Sequence, residues 1–234
     1  MQYMGGKTRI AKRLVQAIID DGAPTDRWFE PFVGGGNVME HAAPVFGQCF
    51  GMDAHPDLIM MWHAATAGWR PEEITREMYK DLRNAEPSPL RGFVGFGASF
   101  GGKWFGGYGY SSSVGHLWKI SARTVNRQAT VFQKHDVKFR RGMFGEYTPP
   151  AGTTVYCDPP YANTTGYTTG GFDHEAFYAT LSQWAVNGVR VYVSEYTTPD
   201  SVPFEVIWQR EKHMTLSKGS NDRVAVEKLF RILP

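Results

Sequence analysis

The chain has 234 residues, 42% of them hydrophobic and 21% charged, and 25 Lys plus Arg against 23 Asp plus Glu leave a net charge of +2. At about 150 residues per domain this is one large domain with room for an insertion, and the composition excludes a disordered or fibrous chain. No run approaches the ~18 uninterrupted apolar residues of a membrane span, Met1 to Lys7 lacks the layout of a secretory leader, and Cys49 and Cys157 have no metal-ligand spacing. A cytoplasmic protein with reduced, buried thiols, no membrane contact and no metal is expected.

A helical pattern begins after Gly5-Gly6, with Ile10, Leu14 and Ile18 on one stripe, and Gly22 with Pro24 ends it. Arg27 to Phe32 reads as a buried strand, Gly34-Gly35-Gly36 breaks it, and a helix opens near Asn37 and runs to about Ala43. Val45 to Met52 predicts a second strand ending at Asp53, and Pro56 starts a helix carrying Leu58, Met61, Trp62 and Ala65. This alternation is the pattern of a doubly wound α/β sheet. It lapses from about 67 to 126, where a Pro71-initiated helix, a Pro87-Ser88-Pro89 break, a Gly/aromatic tract and a helix over Gly115 to Gln128 are read. Strands are predicted at Thr130 to Gln133 and Thr153 to Cys157, then a helix around His174 to Val186. Further strands are predicted at Val189 to Ser194, Phe204 to Trp208 and Ala225 to Ile232. The expected organisation is a domain of residues 1–66 and 127–234 interrupted by an insertion, mostly helical, at 67–126.

Two segments carry chemistry. Phe29-Glu30-Pro31-Phe32-Val33-Gly34-Gly35-Gly36 places glycines between a strand and a helix, where the backbone can approach a ligand closely. Asp53 follows Gly36 by 17 residues at a strand end, where a carboxylate can accept both hydroxyls of a ribose. No Gly-Lys-Ser/Thr follows the triplet, so a phosphate loop is excluded, and the spacing does not fit a dinucleotide fingerprint, which disfavours an oxidoreductase. The second segment is Asp158-Pro159-Pro160-Tyr161, directly after Val155-Tyr156-Cys157. Consecutive prolines stop the strand in a rigid turn. The Asp158 carboxylate, the Pro159 carbonyl and the Tyr161 ring together suit a planar substrate bearing an –NH₂ group.

With Tyr3-Met4-Gly5-Gly6-Lys7, these two segments make the sequence resemble the Dam-type DNA N6-adenine methyltransferases, the alpha-ordered D12 class. The resemblance implies a Rossmann-like mixed sheet of the S-adenosylmethionine-dependent type with an inserted target-recognition region. It implies that Tyr3, Lys7, Phe32, Gly34 and Gly36, with Glu30, surround the methionine part of S-adenosyl-L-methionine. Asp53 would hold the ribose, and Asp136, within His135-Asp136-Val137, would accept from the adenine amine. Asp158, Pro159, Pro160 and Tyr161 would hold a flipped-out adenine, with Asp158 also reaching the cofactor. The class further implies a stand-alone enzyme of a bacterial or phage-infected cell, acting on double-stranded DNA as a monomer or weak dimer. Methylation of cytosine N4 at the same corner, or a catalytically silent DNA-binding relative, are the alternatives.

From Leu90 to His135 there is no Asp or Glu, while Arg91, Lys103, Lys119, Arg123, Arg127 and Lys134 give six positive charges; the remainder then holds 25 − 6 = 19 basic against 23 acidic residues, a net −4. An acid-free basic segment is a duplex-binding profile, and Arg91, Lys103, Trp104, Lys119, Arg123 and Arg127 are the candidate DNA contacts. Lys119, Arg123 and Arg127 recur at helical spacing, which a merely solvated helix face would also show. From Phe93 to Tyr110, seven aromatics and seven glycines in 18 residues resemble a DNA-entering β-hairpin with Lys103 and Trp104 at its tip; burial of those rings in a local core is the competing reading.

Overall fold

A computed structural model of the chain describes residues 1–160, 172–197, 200–214 and 223–234. In chain order its elements begin with α1 (Ala11–Asp20), β1 (Arg27–Glu30), α2 (Met39–Ala42), β2 (Gln48–Asp53), α3 (Pro56–Thr66), α4 (Arg76–Leu82) and α5 (Pro89–Gly97). The two-residue strands β3 (Tyr110–Ser111) and β4 (Gly115–His116), α6 (Leu117–Lys134) and β5 (Lys138–Arg141) follow. The chain closes with β6 (Thr153–Cys157), α7 (His174–Val186), β7 (Arg190–Glu195), β8 (Phe204–Met214) and β9 (Arg223–Ile232). Among the described residues no helix is long and apolar enough to cross a membrane.

Seven strands form one mixed sheet in the order β5-β2-β1-β6-β7-β9-β8. The first five pair in parallel, and β9 joins β7 and β8 antiparallel. This is the doubly wound α/β class that the sequence predicts. β1 and β6 are neighbours, yet the chain winds outward from them in opposite directions, so the crevice at their carboxyl ends is the topological switch point where such sheets bind ligands. One face of the sheet, with Trp28, Tyr156 and Tyr192, shares an apolar core with Leu14 and Ile18 of α1 and Trp62 of α3. The other, with Phe29, Val155 and Val191, packs against Phe177, Leu181 and Trp184 of α7.

Two local expectations are corrected. Thr130 to Gln133 is the last part of α6, because no Gly or Pro interrupts Leu117 to Lys134 and the apolar stripe Ala122, Val125, Ala129 and Phe132 continues through it. The edge strand is instead Lys138–Arg141, which buries Phe139 alone among its residues and so gives little hydrophobic signal. α6 also runs through residue 126, where the insertion was expected to end.

The Gly/aromatic tract is not a hairpin along its length. Pro89 at the first turn and the Ser88 hydroxyl, which accepts from Arg91 N–H, start α5, and this helix carries Phe93 and Phe96. Glycine disfavours a helix, but here it permits close packing. A Cβ at Gly92 would lie 2.2 Å from the Asp57 carbonyl oxygen, and one at Gly95 would lie 2.1 Å from the Trp104 ring. Phe93, Val94, Phe96 and Phe105 are buried in the same core as α3. Two antiparallel pairings form: the short β3–β4 ladder, with its turn at residues 112–114, and a single Ser99–Tyr108 bridge, flanked by Phe100 N–H on the Gly107 carbonyl and Gly109 N–H on the Ala98 carbonyl, which closes a loop with Lys103 and Trp104 at its middle.

Candidate active site at the sheet switch point

Four strand ends meet at one cleft of about 340 Å³. It is lined by Glu30 to Gly35 after β1, Asp53 to His55 after β2, Gly142 to Phe144 after β5 and Asp158 to Pro160 after β6. Tyr3 to Lys7 close one side, and Gly102 to Trp104 another. The segments that the sequence singled out thus come together, although Tyr3 and Pro160 are 157 positions apart (160 − 3).

The glycine loop is pinned from three directions. Gly34 N–H donates to Asp53 Oδ2 at 3.0 Å, Trp62 Nε1–H donates to the Gly34 carbonyl at 3.0 Å, and Gln128 Nε2–H donates to the Gly35 carbonyl at 3.0 Å. Gly34 and Gly36 have φ of +47° and +66°, the left-handed region that L side chains rarely adopt. The Tyr3 ring lies so close that a Cβ at Gly34 would meet it at 2.9 Å. Asp53 also accepts from His55 N–H at 2.9 Å. Burial pushes its carboxyl up to about 6, with these backbone donors opposing the shift.

At the β6 corner the Asp158 carboxylate accepts from Lys7 Nζ at 2.9 Å. Lys7 also pairs with Glu227 of β9 at 3.2 Å. Burial disfavours the ammonium, but the two carboxylates outweigh it and raise the Lys7 pKa. Asp158 is itself raised, first by burial, with Lys7 pulling the other way. Glu30 accepts from Trp28 Nε1–H at 2.8 Å, and burial drives its carboxyl to about 8, so it carries a proton at neutral pH. Glu195, at the end of β7, is raised to about 7 by burial. Of these carboxyl groups Glu30, Asp53 and Asp158 line the cleft, and its aromatic side is built by Phe32 with Phe144 at 5.9 Å and Phe172 at 5.8 Å between ring centroids. Among the described residues no group of three or more His, Cys, Asp or Glu could hold a metal ion.

Tyr3, Lys7, Glu30, Phe32, Gly34, Asp53, Asp158, Pro159 and Pro160 all line the cleft. Gly36 does not; it turns the loop beneath Phe132 and Trp62. Tyr161 lies outside the described residues. Asp136 is a correction. It precedes β5, at the amino end of a strand whose carboxyl end faces the cleft, and its 82% exposed side chain pairs with Lys138 at the surface. The cleft edge beyond β5 is instead formed by Gly142, Met143 and Phe144, with no carboxylate lining it there.

The basic residues divide. Lys119 and Arg123 stand exposed on α6, and Lys103 is exposed at the cleft rim. Arg127 is bidentate on Glu40, though its side chain remains 60% exposed. The Arg91 guanidinium is engaged within the chain: it donates to Asp57 and to the carbonyls of Leu82 and Arg83, and it sits over the Trp104 ring at 5.1 Å. Trp104 is not an exposed tip either; its ring packs against His55 at 4.2 Å and Phe96 at 4.8 Å in the cleft wall.

Sequence reasoning missed Gln128, Trp62, His55, Met143, Phe144 and Glu227. A usable signal existed for Glu227. Leu229 is buried on β9, and period-2 alternation puts a carboxylate two residues earlier on the same inward face.

Comparison with known proteins adds the following. The model of the D12 class of N6 adenine-specific DNA methyltransferases matches residues 3–94, so the resemblance read from the motifs is shown over that stretch. Curated proteins give no match. Solved structures with similar folds include a Pyrococcus horikoshii protein proposed to be an RNA methyltransferase, at TM-score 0.46 and 9% identity over 95% of this chain and 83% of that one. A Thermoplasma acidophilum protein reaches TM-score 0.47 and 12% identity over 95% and 87%. The C-terminal domain of a precorrin-6Y C5,15-methyltransferase from Rhodobacter capsulatus reaches 0.41 and 11% over 99% of both chains.

Proposed function

For a chain whose residues 3–94 match the D12 class of N6 adenine-specific DNA methyltransferases, we propose S-adenosylmethionine-dependent methylation of the exocyclic N6 of a flipped-out adenine in duplex DNA. The observation that carries the reading is the cleft shared by the glycine loop, Asp53 and the Asp158-Pro159-Pro160 corner. The cleft residues fit the cofactor. Gly34 N–H on Oδ2 and His55 N–H on Oδ1 orient the Asp53 carboxylate, whose remaining acceptor capacity suits ribose hydroxyls. The Asp158 carboxylate favours a cationic ligand, and the Phe32, Phe144 and Phe172 rings favour a flat apolar one. When bound, S-adenosylmethionine supplies an electrophilic methyl group on a sulfonium leaving group, so the chain need not provide one.

What the chain provides is positioning. The lone pair of an adenine amine is delocalised into the ring, and an amine that donates to the Asp158 carboxylate and the Pro159 carbonyl is drawn toward tetrahedral geometry. Its lone pair then points at the methyl group for in-line displacement. A base inside a duplex cannot reach a site at the bottom of this cleft and must leave the stack. Lys119, Arg123 and Lys103, exposed within an acid-free segment, support a polyanionic partner. On this reading residues 67–126 recognise DNA, while the remainder binds cofactor and performs the transfer.

The test is duplex DNA incubated with the protein and a methyl-labelled donor, then digested to nucleosides for mass analysis. Labelled N6-methyladenine is the expected product. Labelled N4-methylcytosine moves the activity to the other amine, and unlabelled DNA overturns the reading.

Cofactor affinity also carries a pH signature. Asp53 must be charged to accept two hydroxyls, and it loses its proton as pH rises through about 6. Affinity for S-adenosylhomocysteine, measured by calorimetry, is therefore expected to be about tenfold tighter at pH 7 than at pH 5. That gain is lost again as pH falls. Asp53→Asn should remove most of the slope and bind weakly at both values.

A further inference from the structure

Lys7 stands on the acceptor that the target amine needs. Its Nζ lies 2.9 Å from Asp158 Oδ1, and its side chain is only 4% exposed. An amine that takes a hydrogen bond from Asp158 must share the carboxylate with this ammonium or displace it, and a buried ammonium has no water into which to retreat. A second anchor stands beside the first. Glu227 Oε1 lies 3.2 Å from the same Nζ, on a side chain 9% exposed. Glu227 comes from the antiparallel strand β9, not from the loops that form the cleft, and it does not line the cleft itself. Its place is fixed by the β7–β9 ladder, in which Ser194 pairs with Leu229 and Glu195 with Lys228.

We propose that Glu227 is a positioning residue of the transfer site: it holds the Lys7 ammonium while the Asp158 carboxylate engages the target amine. The inference rests on the methyltransferase reading. In the unliganded chain Lys7 bridges the two carboxylates. With the amine in place, Lys7 leans on Glu227, and an Asp158 oxygen becomes available to orient the nitrogen. The rigid backbone of β9 is what makes the exchange possible, because a partner on a cleft loop would move with the substrate.

The test compares Glu227→Gln with wild type in steady-state methyl transfer to duplex DNA, beside S-adenosylhomocysteine affinity and thermal unfolding. The neutral amide keeps shape and an acceptor oxygen but holds an ammonium poorly, so kcat should fall at least tenfold. KM for DNA and the affinity for S-adenosylhomocysteine should stay within about threefold. In a Lys7→Gln background the same change should cost no further kcat, since the group that Glu227 holds is gone. If Glu227→Gln does not fold, Glu227→Asp, which keeps the charge with a shorter reach, replaces it and should lower kcat several-fold, again only with Lys7 present. A Glu227 variant at wild-type kcat, or one whose loss persists undiminished without Lys7, overturns the inference. Wild-type protein that transfers no methyl group to DNA overturns instead the reading on which it rests, before any variant is compared.

Discussion

Asp158→Ala is expected to lower methyl transfer by at least about 10³-fold, or ~4 kcal/mol of transition-state stabilisation, while the protein still folds and still binds duplex DNA. On the proposed mechanism the carboxylate orients the nucleophilic nitrogen, and no other described side chain at the β6 corner offers a charged acceptor, because the next two residues are prolines. The fold should survive because Lys7 keeps Glu227 as a partner at 3.2 Å and is not left as a lone buried charge. Asp158→Asn is the sharper control. It preserves volume and one acceptor oxygen but turns a donor toward Lys7, and should be nearly as inactive. Rates from label incorporation, with circular dichroism and a gel-shift titration as companions, decide the matter. Turnover within tenfold of wild type in either variant would sink the mechanism.

Gly92→Ala should cause the largest loss of stability from a single added methyl group. The new Cβ would lie 2.2 Å from the carbonyl oxygen and 2.7 Å from the carbonyl carbon of Asp57, and both are backbone atoms. α5 would have to slide off the start of α3, and Asp57 would be pulled from Arg91 Nη1 at 2.9 Å and Ser88 N–H at 3.0 Å. Replacing glycine in a helix normally gains about 1 kcal/mol, while overpacking costs roughly 1–3 kcal/mol and occasionally more. With backbone as the obstacle and a buried ion pair disturbed, a net loss of at least about 2 kcal/mol is expected, lowering Tm by roughly 4–8 °C for a chain of this size. Gly145→Ala, where a Cβ would meet nothing within 4 Å, should stay within about 0.5 kcal/mol. Thermal melts of the pair provide the check, and a Gly92 variant as stable as its control refutes the packing argument.

Residues that act through backbone punctuation were legible before any coordinates. Gly34, Asp53 and the Asp158-Pro159-Pro160 turn sit at ends of strands that glycine, proline and hydrophobic runs delimit, so finding the strands placed them at the cleft. Asp136 failed for the converse reason. β5 buries little besides Phe139, the strand was sought upstream, and the acid beside it was carried to the wrong end of the sheet. Composition alone does not show that the Trp104 ring is seated on Gly95 or that Arg91 is bonded to Asp57. Glycine content alone does not show that Gly92 and Gly95 are needed for lack of a side chain, since that depends on the Asp57 backbone and the Trp104 ring lying against them. Alternation with Leu229 puts Glu227 on an inward face, but that this face meets Lys7 depends on β9 lying beside β7, a long-range fact that no local pattern encodes.

The Lys7–Glu227 contact also has a consequence for how the protein is made. Its two members lie 220 positions apart (227 − 7), and Asp158, the third member, lies between them. As the chain leaves the ribosome, the cofactor loop and the first parallel strands are available early. The lysine they border then has neither counter-charge until most of the protein has been synthesised. Contacts of such long sequence separation pay loop-closure entropy before they return anything, which slows folding. Refolding should therefore show cofactor affinity and native β-sheet signal arriving together in a late phase. A nascent chain stalled before β9 would hold the glycine loop and the Asp158-Pro159-Pro160 corner and still lack a finished site.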